Sequence, residues 1–309
     1  MKRMSARTLR GNLLLLLTAL IWGVAFVAQK SGGAGLGAFT IIGLRSLIGS
    51  AGLMLVIPLL DKLGLSRKSD SPAQRRTLWR GGILCGLAMF AATNLQQLGL
   101  QGEGISEGKA AFITALYIVL VPILGLFLHR RATVLNWLGV ALAAVGLYLL
   151  CAMGETGFGV SDILLLLCAL MFSVQIMIVD RFSPKVDGVR LSCIQFLVVG
   201  ILNLPLMFLL ETPSWAGVQN HLGELLYLGL LSSGVAYTLQ IIAQKDTEPT
   251  TASLLMSLES VFGALAGWLL AGHAMGGYEI LGCVLMFTAI VLAQLPASTL
   301  PKRREKNAV

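Results

Sequence analysis

The chain has 309 residues, of which 56% are hydrophobic and 12% charged, whereas a soluble domain carries about 45–50% apolar and about 25% charged residues. That balance excludes an ordinary soluble enzyme or binding module and points to a polytopic membrane protein. The formal charge of +8 is not the footprint of a nucleic-acid binder, because the basic residues fall between apolar segments and follow the membrane rule for positive charge.

Apolar runs near the length needed to cross a bilayer, about 20 residues, are read at 11–30, 37–60, 79–100, 106–128, 133–153, 160–180, 190–210, 222–243, 250–271 and 278–296. The first is preceded by Lys2, Arg3, Arg7 and Arg10 and opens with Leu13–Leu17, as a secretory signal would. The run is long and many spans follow it, so it is expected to remain as the first helix. Trp79 and Trp137 open spans three and five, where amphipathic rings favour the interface. Connections are short, with no room for a separate soluble domain. Cys85, Cys151, Cys168, Cys193 and Cys283 all lie in apolar segments without CxxC or Cys/His spacing, and read as small buried hydrophobes.

With the N-terminus in the cytoplasm and ten crossings, all but three of the 23 Lys and Arg fall on the cytoplasmic side, as the positive-inside rule requires. The exceptions are Lys30 and Lys109 at the outer side and Arg45 within span two. An odd number of spans would scramble this bias. Residues 1–10 and 297–309 are then cytoplasmic tails, in the plasma or inner membrane of the cell.

The second five spans read as a repeat of the first five. Leu14–Leu17 falls opposite Leu164–Leu167, Ala19-Leu20 opposite Ala169-Leu170, Trp22 opposite Phe172 and Arg45 opposite Gln195. Further on, Leu95-Gln96 meets Leu239-Gln240, Leu116 meets Leu258 and Gly125 meets Gly267. A unit of five spans must invert its successor. The expected fold is therefore an all-α integral membrane protein of ten transmembrane helices, built as two inverted five-helix repeats over residues 11–153 and 157–296. Secondary transporters built this way bind solute near the midplane between the halves.

Ala19-Leu20-Ile21-Trp22-Gly23 with Phe26, Arg45, the run from Phe112-Ile113-Thr114 to Val121-Pro122, and Ser257-Leu258-Glu259-Ser260-Val261-Phe262 together resemble the drug/metabolite transporter superfamily, in particular its EamA-type branch. The resemblance implies two tandem five-helix repeats, a cavity enclosed by spans one to four and six to nine, and spans five and ten outside it as scaffold or homodimer contact. It also implies export of an amino acid, a nucleobase-like metabolite or a toxic amphiphile. Two positions depart from the family pattern: His273 stands where an acidic residue is common, and Ser260 where Pro often follows the Glu.

Glu259 lies about ten residues into span nine from Pro249, which at about 1.5 Å per residue is the bilayer centre. A carboxylate there costs about 2.5–3.5 kcal/mol on insertion scales, so it is expected to pair or to function. Proton exchange at Glu259 would couple transport to pH; a structural hydrogen bond to a neighbouring helix is the other reading. Its repeat partner Tyr117 reaches the same depth from the opposite side. Arg45 cannot lose its proton and must pair or face water. Glu103, Glu107 and Glu259 are its possible partners, and Arg45, Glu107 and Lys109 form a candidate gating set. Asn94, Gln96, Gln175, Tyr237 and Gln240, with Trp22, Phe112 and Phe172, complete a candidate lining of mixed aromatic and polar character. Gln97 and Gln195 belong to the same polar set, and interhelical hydrogen bonding is the alternative for each amide.

Gly104-Ile105-Ser106-Glu107-Gly108 fits the G-x-S-x-G pattern, and Ser106 to Lys109 fits S-x-x-K. Both patterns need a strand-to-helix turn or companion motifs that the sequence lacks, so Ser106 is read as a helix cap. His129, His221 and His273 lie near span ends without a triad. With no Walker loop, H-E-x-x-H or clustered ligand set, no enzyme, cofactor or metal is expected. The leading reading is a secondary transporter of a small metabolite. A lipid flippase subunit or a non-transporting membrane partner is the alternative.

Overall fold

A computed structural model of the protein describes residues 6–64, 66, 71–102, 105, 107–128, 132–152, 157–271 and 276–294. These residues are helical nearly throughout. In chain order the elements are α1 (Ala6–Gly33), α2 (Ala38–Lys62), α3 (Pro72–Gln101), α4 (Glu107–Ala115), α5 (Tyr117–Phe127) and α6 (Val134–Leu147). A short π-helix, π1 (Tyr148–Ala152), extends α6. There follow α7 (Val160–Phe182), α8 (Gly188–Leu210), α9 (Trp215–Asn220), α10 (Leu222–Leu226), the long π-helix π2 (Tyr227–Ala236) and α11 (Tyr237–Ala243). The chain closes with α12 (Pro249–Met256), α13 (Glu259–Ala271) and α14 (Gly277–Gln294).

Among the described residues, nine helical segments are long and apolar enough to cross a membrane. The stretch expected as span nine, 250–271, is divided into α12 and α13, and neither piece alone reaches that length. Helix starts follow local chemistry more closely than hydropathy does. α3 begins well before the expected residue 79 because Ser71 accepts a hydrogen bond from the Gln74 N–H and Pro72 occupies the first turn. Both are preferred there, since they satisfy or remove an otherwise orphaned donor.

Large apolar side chains point outward along the helices. Leu55, Phe127 and Leu209 are 81%, 77% and 78% exposed. In water such a surface would drive association, but it is the surface that hydrocarbon requires. The inward faces meet in a core around Leu15, Met89, Ile118, Phe196 and Met286. α2 packs along α8, α3 lies against α7 and α8, α1 contacts α12 and α13, and α6 pairs with α14.

The α2–α8 pair is clamped at both ends. Where α2 finishes, Arg190 near the start of α8 holds Asp61 through Nη2 at 2.6 Å and Nη1 at 3.0 Å. At the opposite end Glu211, just past α8, accepts from the Phe39 N–H at 2.9 Å, the Thr40 N–H at 2.8 Å and the Thr40 hydroxyl at 2.6 Å. A carboxylate on a helix N-terminus satisfies orphan donors and complements the helix dipole.

Candidate functional site

The helices that break do so at one place each. In the α4–α5 pair, Leu116 N bonds Ile113 O and Val119 N bonds Leu116 O. In the α12–α13 pair, Leu258 N bonds Leu255 O and Ser260 N bonds Ser257 O. These i→i−3 bonds tighten one turn and re-aim the helix beyond it. The local causes differ. Pro122 removes the N–H that would bond Ile118 O. Ser253 and Ser257 instead donate their hydroxyls to Thr250 O and Leu254 O, and such back-bonding competes with the helical ladder.

The first residue past each break is polar. Tyr117 opens α5 and Glu259 opens α13, and the Tyr117 hydroxyl donates to Glu259 Oε1 at 3.1 Å. Both are buried, Glu259 to 6% exposure. They form part of the wall of a cavity of about 40 Å³, room for a few waters and well below the about 300–1,000 Å³ common for small-molecule sites. α1 can approach α13 here because Gly23 has no side chain. A Cβ on it would lie 2.7 Å from Gly263 N and 2.8 Å from Glu259 O.

The aromatic wall is Trp22 against Tyr237, with ring centroids 4.4 Å apart, and Phe172 lines the same space. Trp22 Nε1 reaches Ser232 O at 3.4 Å, and Phe196 supports Tyr237 from behind, edge-on, at 5.2 Å. The polar wall includes Gln96, Gln175 and Gln240. Gln240 donates to Gln175 at 3.2 Å and Gln175 donates to Gln195 at 3.1 Å. Gln240 also reaches Gln244, whose amide bonds Ile176 O.

Arg45 lines the same cavity at 2% exposure. Its Nη1 donates to Gln29 Oε1 at 3.1 Å, its Nε has no partner, and among the described residues it makes no ion pair. Of its expected partners, Glu103 and the Glu107 side chain lie outside the described residues. Glu259 is held by Tyr117.

Eight of the ten residues expected to line a cavity therefore share this one: Trp22, Gln96, Tyr117, Phe172, Gln175, Tyr237, Gln240 and Glu259. Asn94 and Phe112 do not line it. Asn94 bonds back to Phe90 O within its own helix, and Phe112 packs its ring near Tyr148 at 6.1 Å. Lys109, expected beside Arg45, instead pairs with Asp162 at 2.7 Å and donates to Gly157 O at 2.9 Å, tying α4 to the start of α7. Gln29, Thr114, Ser232 and Met256 line the cavity without having been expected. Gln29 and Arg45 are sixteen positions apart, too far for periodicity to join. Ser106, His129 and His273 lie outside the described residues. His221 contacts Gly217 O within one turn.

A family model described as the EamA-like transporter family matches residues 9–152 and again 159–295. An uncharacterized transporter of Archaeoglobus fulgidus is 27% identical over 94% of this chain and 87% of its own length. Two uncharacterized transporters of Bacillus subtilis, YwfM and YoaV, are 24% and 23% identical over 97% and 88% of this chain, covering 98% and 92% of their own lengths. A solved crystal structure, 19% identical, superposes with a TM-score of 0.76 over 94% of this chain and 98% of that one, and so shares the fold. The cavity is built from both matched segments, and the chain belongs to the EamA-like transporter family.

Proposed function

We propose that the protein is a secondary transporter that exports a small metabolite across the cell membrane by alternating access. The two matched segments act as inverted halves, with ten crossings and both termini in the cytoplasm. The observation that carries this reading is the meeting of Tyr117 and Glu259, each at the same point of its own half and each just past a helix break, in the wall of one cavity. Broken helices facing a midplane site are how transporters present polar groups in hydrocarbon.

Amino acids and nucleobase-like compounds are the solute classes to test first. Glu259 is the group through which a proton would couple. α6 and α14 contribute no residue to the cavity wall and would be the contact for a second copy.

Counterflow in proteoliposomes tests the reading. Unlabelled solute trapped inside should accelerate entry of labelled solute, and Glu259→Gln should remove the response to an imposed pH gradient. Absence of counterflow for every solute class would sink it. Gln carrying full pH-driven flux would remove the proton step alone.

A further inference from the structure

Arg45 and Glu259 are the only formally charged side chains in the described cavity wall, and they are not bonded to each other. Arg45 keeps its proton under all physiological conditions. Glu259 can be ionised or protonated. A net charge enclosed in a low-dielectric space is costly, so the charge inventory limits what the cavity can hold.

With Glu259 ionised, the empty cavity is neutral. With Glu259 protonated, it carries one uncompensated positive charge. The other titratable groups facing Glu259 are Tyr117 from α5, Tyr237 from α11, Cys168 from α7 and Cys151 from π1. Tyr237 also faces Arg45. These are phenols and thiols, which carry no charge at neutral pH in their ordinary state, so they cannot serve as the counter-ion.

The guanidinium is half-used. Gln29 takes Nη1, and Nε, though buried, has no partner. The edge formed by Nε and Nη2 is the one a carboxylate grips with two parallel hydrogen bonds. The Trp22–Tyr237 pair supplies an apolar wall for the rest of a small acid once the cavity, about 40 Å³ as it stands, widens to admit it.

We propose that the solute is an organic monocarboxylate, that its carboxylate docks on Arg45, and that it binds together with one proton taken up by Glu259. Two states of the cavity are then neutral: empty with Glu259 ionised, and filled with Glu259 protonated on the oxygen that does not face Tyr117. The anion and the proton travel in the same direction, and export runs down the solute's own gradient. A zwitterion brings its own cation and calls for no proton. A neutral nucleobase leaves Arg45 without an anion unless Glu259 stays ionised. This inference rests on reading the cavity as the solute site.

The test uses the full chain in detergent with benzoate, 3-phenylpropionate and 4-methylpentanoate, their amides, and phenylalanine as the zwitterion. Binding is read by thermal stability and by Trp fluorescence, and proton uptake by pH change in weakly buffered solution. The acids should stabilise the protein and the amides should not. Where Glu259 starts ionised, binding should take up one proton per acid, and affinity should fall about tenfold per pH unit.

Arg45→Gln should weaken acid binding by about ten- to a hundredfold. Glu259→Gln should bind the acids with no proton uptake and no such pH slope. If Arg45→Gln does not fold, Glu259→Gln carries the test. The inference is overturned if no acid binds, if amides bind as well as acids, or if acids bind without taking up a proton. A neutral or zwitterionic solute that shows counterflow unaffected by Arg45→Gln would also overturn it while leaving the transport reading intact. Absence of counterflow for every class removes the transport reading itself.

Discussion

Tyr117 donates to Glu259 across 3.1 Å, and each is the first residue of the second piece of a broken helix. One bond therefore joins the two breaks. Removing the phenol strands a buried carboxyl oxygen, so Tyr117→Phe is expected to cost about 1–3 kcal/mol. In a double-mutant cycle with Glu259→Leu, a coupling energy in the range of about 0.5–3 kcal/mol is expected. Denaturant unfolding in mixed micelles measures it, and additive losses would show that the bond contributes nothing.

Gly23→Ala should destabilise, although the same change in an uncrowded helix interior gains about 1 kcal/mol. The added Cβ meets backbone at 2.7 Å and 2.8 Å and Phe262 Cβ at 2.8 Å, none of which is the end of a flexible chain. Overpacking of this kind costs about 1–3 kcal/mol, and α1 must move away from Glu259. A lowered melting temperature with reduced flux is expected; an unchanged protein would mean that the α1–α13 contact yields freely.

The two clamps on α2 and α8 should have opposite effects. In the proposed topology Arg190–Asp61 closes the cytoplasmic end and Glu211 on Phe39 and Thr40 closes the outer end. Asp61→Asn should raise labelling of a cysteine placed at Gln244 from inside. Glu211→Gln should raise labelling of one placed at Gln29 from outside. Each change removes about 1 kcal/mol of closure, roughly a fivefold effect. Equal labelling from both sides in either variant would count against the assignment of ends.

The Lys109–Asp162 pair is mostly buried, at 12% and 4% exposure of the two side chains. Breaking one partner leaves a charge without its mate, so Asp162→Asn should cost about 3 kcal/mol. Replacing both, as Lys109→Met with Asp162→Leu, should recover the charge part of that loss but not the cap on α7, where Asp162 Oδ2 accepts from the Gly159 N–H at 2.7 Å. Thermal melts of Lys109→Met, Asp162→Leu and the double variant decide it, and a double variant no more stable than Asp162→Leu alone would contradict the expected recovery.

The shared depth of Tyr117 and Glu259 was legible because Leu116 and Leu258 align, and depth follows from counting residues. Which face a side chain takes was less legible. These helices are apolar nearly all round, so periodicity carries little information about the inward side. Asn94 and Gln96 are two positions apart on one helix, yet only Gln96 lines the cavity. The Arg45–Gln29 bond was hidden for another reason: carboxylates were the natural partners to seek for a guanidinium, and an amide from α1 took the place instead. The break before Glu259 has no proline to announce it and rests on serine hydroxyls bonding to the preceding turn.

The wide winding of π2 ends at Ala236, and Tyr237 is the next residue. A π turn holds more residues than an α turn, so this stretch contains slack. Passing one residue through it would turn α11 by about 100° about its axis without leaving a backbone donor unbonded in the hydrocarbon. Tyr237 would then swing away from Trp22, and Gln240 from Gln175. Such a change of winding would open the aromatic wall, and it would also turn the buried Thr238 and Ile241 against α1 and α8.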